Sequence, residues 1–325
     1  MLESILLPLI GGLVLFLYAL NYLSDSLTEV ASDKLRFYLD KFTKNLFTGI
    51  VTGTIVTVLL DSSSAVIIMA IALVKSKTLT FRQAIGIVMG ANIGTTISSQ
   101  IIALDVGKYS SVLMAIGFIL LMLGRKPVFK NIGRVILGFG LIFFGLYVVE
   151  GSVEPLKQSA GFTKWMLALE SPLKGVGIGA LVTLIIQSSS ATVGMVIALG
   201  VKKLLSIQAG IAIMLGAELG TCSDTLLASI GKSRQAVKTG LFHLIFNVIS
   251  IGLGLLLFDY FVQLVLALSG RAPLERQIAN AHVLFNCLGV LVFIPLVPLL
   301  EKILNNLIQE QETQEQAPAQ VNAGV

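Results

Sequence analysis

The chain has 325 residues, of which 55% are hydrophobic and 13% are charged, and its formal net charge at pH 7 is +5. Its mean hydropathy is +0.90, and soluble domains carry about 25% charged residues, so the composition excludes an ordinary soluble domain. The basic residues are scattered through short loops, so we expect a lipid bilayer around most of the chain and no nucleic-acid partner.

Apolar segments long enough to span a membrane recur along the first half of the chain. Crossing the hydrocarbon layer as a helix takes about 20 apolar residues. We predict a spanning helix over Ser4–Ser24 and an amphipathic helix on the membrane surface over Asp25–Lys44. Apolar segments follow over residues 47–74, 83–104 and 110–123, and polar residues interrupt the first two of these.

The second half repeats this order. Its apolar segments cover residues 135–149, 176–199, 208–230, 236–258 and 277–300, and polar residues again interrupt two of them. A polar tail from residue 309 to residue 325 is typical of disordered segments. We therefore predict an all-α polytopic membrane protein with a first repeat over residues 1–125, a second over 126–305 and a disordered tail over 306–325.

One short motif occurs twice inside the interrupted segments. Asp61-Ser-Ser-Ser-Ala stands in the first half, and Gln187-Ser-Ser-Ser-Ala stands 126 residues later. Each copy follows a Gly-x-x-x-Thr sequence, and a glycine-rich segment follows each copy at the same offset, from Gly90 and from Gly216. Irregular backbone at membrane depth is tolerated only where it faces protein or a water-filled cavity. The repeated interruption therefore predicts a transporter with one midplane site between its halves.

The serines have a second possible role in helix packing, because small residues line helix interfaces in membranes. Gly49-x-x-x-Gly53 and Gly175-x-x-x-Gly179 fit that role. The serine runs recur with a polar residue before them and a glycine motif after them, which favours a binding site. A helix that begins at such serines offers N–H groups to an anion. Hydroxyls and carboxylates beside the break offer oxygen ligands to a small cation such as sodium.

The Gln187-Ser-Ser-Ser motif, its imperfect copy at Asp61 and the Gly-Ala-Asn-Ile-Gly-Thr segment at Gly90 resemble the type II sodium–phosphate cotransporter family in a bacterial form. The resemblance covers roughly residues 46–300. It implies two inverted-topology repeats, each with a re-entrant helical hairpin and a broken transmembrane helix. It also implies sodium-coupled symport of inorganic phosphate, with sodium as the coupling ion and no cofactor.

On this resemblance both serine motifs hold phosphate, and the polar residues beside the interruptions hold sodium. The expected phosphate ligands are Ser62, Ser63, Ser64, Gln187, Ser188, Ser189 and Ser190. The expected sodium ligands are Thr57, Asp61, Asn92, Thr95, Thr96, Thr183, Glu218, Thr221 and Asp224. No transition metal is expected.

Three carboxylates bear on the choice of substrate and coupling ion. Asp61 stands where the family pattern has Gln, and Glu218 stands where it usually has Asn. Asp224 adds a third carboxylate in the same segment. Carboxylates within the membrane are functional candidates, and beside an anion each needs a cation or a proton. Proton coupling and transport of another small anion therefore stay open as alternatives.

The two histidines each precede an asparagine by four residues in the last two long helices, as His243-x-x-x-Asn247 and His282-x-x-x-Asn286. Side chains four residues apart share one helix face. A metal site is disfavoured because no Glu-x-x-His pattern accompanies the histidines. We predict polar pairs between helices, and a role on the substrate or proton path stays open.

The basic residues predict an orientation. If each serine segment is re-entrant, three crossings precede the second half, which is then inverted. Fifteen of the 23 lysines and arginines fall in loops on one side, and the positive-inside rule assigns that side to the cytoplasm. We expect a multi-pass protein of the plasma (inner) membrane with a cytoplasmic C-terminus.

Other function classes have less support. No Gly-x-x-x-x-Gly-Lys-Ser/Thr motif occurs, so we expect no nucleotide to drive transport. No nucleophile–base pair is legible, so we do not expect an enzyme. A channel or a regulatory membrane subunit is the alternative class, and a channel would show no saturable sodium dependence.

Overall fold

The computed structural model describes residues 2–308, and every regular element within that range is helical. The α-helices are α1 (Leu2–Phe42), α2 (Leu46–Leu60), α3 (Ser63–Lys75), α4 (Phe81–Ile102), α5 (Ser110–Leu123), α6 (Pro127–Val153), α7 (Ala160–Ala168), α8 (Pro172–Ile186), α9 (Ser189–Val201), α10 (Ile207–Gly220), α11 (Cys222–Ser229), α12 (Arg234–Leu256), α13 (Phe258–Ser269), α14 (Leu274–Phe293) and α15 (Val297–Leu307). Short 3-10 turns cover Gly107–Tyr109, Glu154–Gln158 and Ile294–Leu296. The predicted all-α class is confirmed. The disordered tail was predicted from residue 306, but residues 306 and 307 are helical in α15, and the predicted tail from 309 onward lies outside the described residues.

Six helices in the described range are long and apolar enough to cross a membrane, or seven if the bent pair α7–α8 is one span. The two members of that pair meet at 100°. Large apolar side chains such as Leu123, Ile185 and Leu256 are exposed on the protein surface, as lipid-facing residues are. The chain is therefore an integral multi-pass membrane protein. The inverted relation of its halves, the repeat boundaries and the side of the C-terminus stay predictions.

The first helix differs from the prediction. We expected a span over Ser4–Ser24 and a separate surface helix over Asp25–Lys44, whereas α1 is one continuous helix. No glycine or proline stands between Gly12 and Asn45 to end it. Within the charged part, Leu35 and Leu39 are buried inside the protein, so at these positions the helix packs on protein.

Two matching helix pairs stand at corresponding positions of the two halves. Helices α2 and α8 each have 15 residues, and α3 and α9 each have 13. A 15-residue helix is about 22 Å long, too short to cross about 30 Å of hydrocarbon. Each pair is interrupted at the predicted serine motif, so the predicted breaks at Asp61 and Gln187 are confirmed.

Glycines let each pair approach the helix that follows it. A Cβ atom on Gly90 of α4 would lie 2.0 Å from the Ile50 carbonyl oxygen of α2. A Cβ atom on Gly216 of α10 would lie 2.1 Å from the Val176 carbonyl oxygen of α8. A Cβ atom on Gly53 or on Gly179 would likewise lie within 2.5 Å of a backbone carbonyl oxygen of the facing helix, so the packing role predicted for these glycines is confirmed.

The predicted interruption of the helix after the first serine motif is wrong, because α4 is continuous through residues 92–96. Its polar side chains donate to carbonyls of the same helix: Asn92 Nδ2 to Val88 at 2.9 Å, and Thr95 Oγ1 to Ala91 at 3.0 Å. These local bonds satisfy the polar groups without breaking the helix. In the second half the helix does change at Thr221, between α10 and α11.

Helices α12 and α14 complete the interior around these pairs. Helix α12 packs against α3 and α11, and α14 packs against α9 and α4. Each therefore contacts the second helix of one pair and a helix that comes after the other pair in the chain. This exchange brings polar residues of the two halves together.

Candidate substrate site

The residue before each serine run ends one helix in a left-handed conformation. Asp61 has φ 53° and ψ 30°, and Gln187 has φ 58° and ψ 32°. Their backbone N–H groups donate to the carbonyls of Thr57 at 2.8 Å and Thr183 at 2.6 Å. The two breaks therefore have the same backbone geometry.

The first serine of each run caps the next helix. Ser62 Oγ accepts the backbone N–H of Ala65 at 3.2 Å, and Ser188 Oγ accepts that of Ala191 at 3.2 Å. The amides of the following two serines in each run lie at the first helical positions, where no carbonyl of the same helix is available. Each serine run therefore presents N–H groups at the positive end of a helix, inside the protein.

One hydrogen bond connects the first serine run to the second half. Ser64 Oγ donates to Asp224 Oδ2 at 3.2 Å, and the same carboxylate accepts from Ser223 Oγ at 3.3 Å. Among the described residues, no hydrogen bond joins the two serine runs directly. Helix α4 packs against both α3 and α9, so one helix borders both runs.

The threonines before the breaks differ in their partners. Thr57 and Thr183 are both fully buried. Thr183 Oγ1 donates to Thr192 Oγ1 at 2.7 Å, whereas Thr57 Oγ1 has no partner among the described residues. In the first half, the position that matches Thr192 is occupied by Val66, which has no hydroxyl. The first half thus holds a buried hydroxyl whose hydrogen-bonding capacity is unused.

The remaining predicted cation ligands donate to carbonyls of their own helices. Thr96 Oγ1 donates to Ile93 at 2.7 Å, and Thr221 Oγ1 donates to Ala217 at 3.1 Å, as Asn92 and Thr95 do in α4. A hydroxyl that donates in this way keeps its lone pairs for a further partner. These residues are buried and can still act as oxygen ligands.

Asp61 has a partner that sequence reasoning missed. Ser98 Oγ donates to Asp61 Oδ1. Ser98 stands 126 residues before Asp224, the same offset that separates Asp61 from Gln187. In the first half the carboxylate precedes the serines and a hydroxyl lies on the next helix. In the second half an amide precedes the serines and the carboxylate lies on α11. The offset was the signal that could have identified Ser98.

The histidines form matching buried pairs with hydroxyls. His243 Nδ1 lies 2.7 Å from Thr225 Oγ1, and His282 Nδ1 lies 2.7 Å from Ser99 Oγ. Ser99 and Thr225 also stand 126 residues apart. Each histidine thus contacts a hydroxyl on another helix. Two of their partners, Ser99 and Thr225, were not predicted.

Within residues 2–308, His282 contacts a carboxylate and His243 does not. His282 Nε2 lies 2.9 Å from Glu218 Oε1, and both side chains are buried. Ser99, His282 and Glu218 therefore join α4, α14 and α10. Each asparagine four residues later donates to the carbonyl of its histidine, Asn247 at 3.2 Å and Asn286 at 3.2 Å.

The sequence profile of the Na+/Pi-cotransporter family matches residues 15–151 and 157–274 of the chain. The chain belongs to the Na+/Pi-cotransporter family. This is a family of transporters, so the expectation that the chain is not an enzyme is confirmed. Membership supports phosphate transport as its activity.

Relatives from bacteria and vertebrates agree with this membership. Over 307 residues the chain is 28% identical to the uncharacterized protein YqeW of Bacillus subtilis (strain 168), covering 94% of this chain and 98% of that protein. It is 26% identical over 310 residues to the "Putative inorganic phosphate export protein YjbB" of Escherichia coli (strain K12), covering 94% of this chain. It is 40% identical over 135 residues to sodium-dependent phosphate transport protein 2B of Pongo abelii, covering 38% of this chain.

Two of these relatives are longer than the region they share with the chain. The chain covers 56% of the Escherichia coli protein and 20% of the Pongo abelii protein. No solved structure matches the chain.

Proposed function

We propose that this protein is a secondary transporter that moves inorganic phosphate together with sodium through a site between its two halves. The observation that carries the proposal is the repeated serine-capped helix start, found twice in the same backbone geometry within a chain of the Na+/Pi-cotransporter family. Two such helix starts offer N–H and hydroxyl donors to the oxygens of one anion.

The phosphate ligands in this proposal are the two serine runs and Gln187. Ser63, Ser189 and Ser190 are buried, so an anion bound there is shielded from bulk water. Shielding strengthens each charge-assisted hydrogen bond to the anion. The relatives named for phosphate support this choice of anion.

The sodium ligands in this proposal are oxygens beside the breaks. Thr57 is the strongest candidate, because its buried hydroxyl has no partner among the described residues. Asp61, Asn92, Thr95, Thr96, Thr183 and Thr221 supply further oxygens. Glu218 contacts His282 and Asp224 contacts Ser64, so we leave these two carboxylates outside the sodium site.

The direction of transport follows from the gradients in the cell. A symporter runs either way, and one relative is named for export and another for sodium-dependent transport. Uptake of radiolabelled phosphate into proteoliposomes, compared under inward sodium, potassium and proton gradients, tests the proposal. We expect the sodium gradient alone to concentrate phosphate. Equal accumulation under a potassium gradient would contradict sodium coupling. Accumulation under the proton gradient alone would identify the proton as the coupling ion instead of sodium.

Two serine caps in the second half provide a matched pair of variants. Ser188 caps α9 at the proposed site, and Ser206 caps α10 through the same kind of bond, to Ala209 at 3.3 Å. Replacing either serine with alanine removes one cap worth about 1 kcal/mol. We expect Ser188→Ala to lower phosphate uptake at least about tenfold and Ser206→Ala to leave uptake near that of the unmodified protein. Equal uptake in the two variants would contradict a substrate role for Ser188.

A further inference from the structure

We propose that Asp224 makes the site selective for oxyanions that carry a hydroxyl hydrogen, so that it accepts hydrogen phosphate and rejects sulfate. This inference rests on the proposed function of the serine runs as the anion site. It assigns to Asp224 a role in substrate selection in place of the cation role that its sequence position suggested.

The position of Asp224 carries the inference. Its Oδ2 atom lies 3.2 Å from the hydroxyl of Ser64, and Ser64 is the second residue of α3. The Ser64 amide therefore lies at the start of a helix, where anions bind. An anion held by this helix start lies next to the Asp224 carboxylate.

A carboxylate beside an anion site distinguishes anions that carry a hydroxyl hydrogen from anions that carry none. An ionised carboxylate only accepts hydrogen bonds, and two like charges in contact repel strongly inside a protein. Hydrogen phosphate carries at least one P–OH group that can donate to Asp224, which replaces repulsion with a hydrogen bond. Sulfate carries no hydrogen at neutral pH, so its oxygens face the carboxylate without compensation.

In the first half of the chain, the position that matches Asp224 carries no carboxylate. Ser98 stands where Asp224 would stand in the first half, and it donates to Asp61. Asp61 and Ser98 border a cavity whose other walls are apolar side chains of α1, α2, α4 and α6. Asp224 is thus the carboxylate that contacts a serine of the anion site.

Displacement of radiolabelled phosphate from the purified full-length protein measures the selectivity. The competitors are arsenate, which carries a hydroxyl, and sulfate, which does not. For the unmodified protein we expect half-displacement by arsenate near that of phosphate. We expect half-displacement by sulfate to need a concentration at least about 100-fold higher than phosphate, and we call this ratio the sulfate gap. Fully buried polar sites discriminate by roughly 10⁴-fold, and the expected gap is smaller because Asp224 is only partly buried.

Two variants test the residue. Asp224→Ser copies the residue found at Ser98, and Asp224→Asn removes the charge with little change of size. We expect the sulfate gap to shrink below about tenfold in both, because an uncharged side chain no longer repels sulfate. Asp259→Asn on α13 controls for loss of an exposed carboxylate and should keep the full gap. An unchanged gap in phosphate-binding variants of Asp224 would overturn the inference.

A measurement on the unmodified protein does not depend on how the variants fold. Monofluorophosphate has nearly the shape of hydrogen phosphate but carries fluorine in place of the hydroxyl. We expect it to compete at least about tenfold more weakly than phosphate, and equal competition would overturn the inference. If the unmodified protein bound no phosphate at all, the proposed function itself would fail, which is a distinguishable result.

Discussion

The close crossing of α8 and α10 makes a prediction about a single methyl group. Gly179 lies on α8, and a Cβ atom built on it would stand 2.0 Å from the Ile213 carbonyl oxygen of α10. Ordinary contact begins at 3.4 Å, so Gly179→Ala requires these groups to separate by about 1.4 Å, the difference between the two distances. Because α8 ends at Ile186, directly before Gln187, this separation moves the serine run that starts α9.

The expected cost of Gly179→Ala follows from overpacking. Forcing a methyl group into a packed interface costs about 1–3 kcal/mol, and the better helix propensity of alanine offsets about 1 kcal/mol. Gly177 provides the matched control, because it lies on the same helix and no atom lies within 4 Å of its built Cβ. Gly177→Ala should therefore be neutral or slightly stabilising.

Two assays separate the variants. Thermal unfolding of the full-length protein in detergent, followed by the fluorescence of the single tryptophan, Trp165, should show Gly179→Ala unfolding at lower temperature than Gly177→Ala. Phosphate uptake in proteoliposomes should fall at least about tenfold in Gly179→Ala, because misplacing a binding group by 1 Å has effects of that size or larger. If both variants unfold and transport alike, the helices do not cross at this point and the reasoning is refuted.

Three further predictions concern polar residues around the breaks. Asp61→Gln copies the residue of the second half. If Asp61 binds sodium, we expect this variant to move less charge per phosphate, and if Asp61 binds a proton, we expect its transport to vary less with pH. Unchanged charge movement, sodium dependence and pH profile would contradict a coupling role. Thr57→Val should raise the sodium concentration for half-maximal uptake while leaving the unfolding free energy nearly unchanged. Thr183→Val should lower the unfolding free energy by about 1 kcal/mol because it breaks a hydrogen bond. A larger loss of stability in Thr57→Val than in Thr183→Val would contradict the assigned partners. Ser99→Ala leaves one nitrogen of buried His282 unpaired and should cost about 1–3 kcal/mol in unfolding free energy, and an unchanged unfolding curve would show that this bond contributes nothing.

Much of the central architecture could be predicted because the chain repeats itself. The breaks at Asp61 and Gln187 were predicted from three serines inside apolar segments, and both occur at the expected residues. Local chemistry decides such breaks, since a left-handed residue ends one helix and a serine caps the next. Local chemistry is what a sequence pattern reports.

Other features depend on contacts that a sequence pattern does not report. The break predicted in α4 is absent because Asn92 and Thr95 bond to their own helix. The sequence does not distinguish a polar residue that bonds to its own helix from one that interrupts it. The bond between Ser64 and Asp224 joins residues 160 positions apart. Ser99 is one of many serines in the chain, and only the offset to Thr225 distinguishes it.

Phosphate binding by variants of the two serine runs tests the central claim most directly. Ser63→Ala and Ser189→Ala each remove one buried hydroxyl, and Ser76→Ala removes an exposed hydroxyl at the other end of α3 as a control. Equilibrium binding of radiolabelled phosphate to the purified protein should weaken at least about tenfold in each single variant. It should fall below detection in the double variant, and Ser76→Ala should bind normally. Unchanged binding in the folded double variant would contradict a phosphate site shared by the two runs.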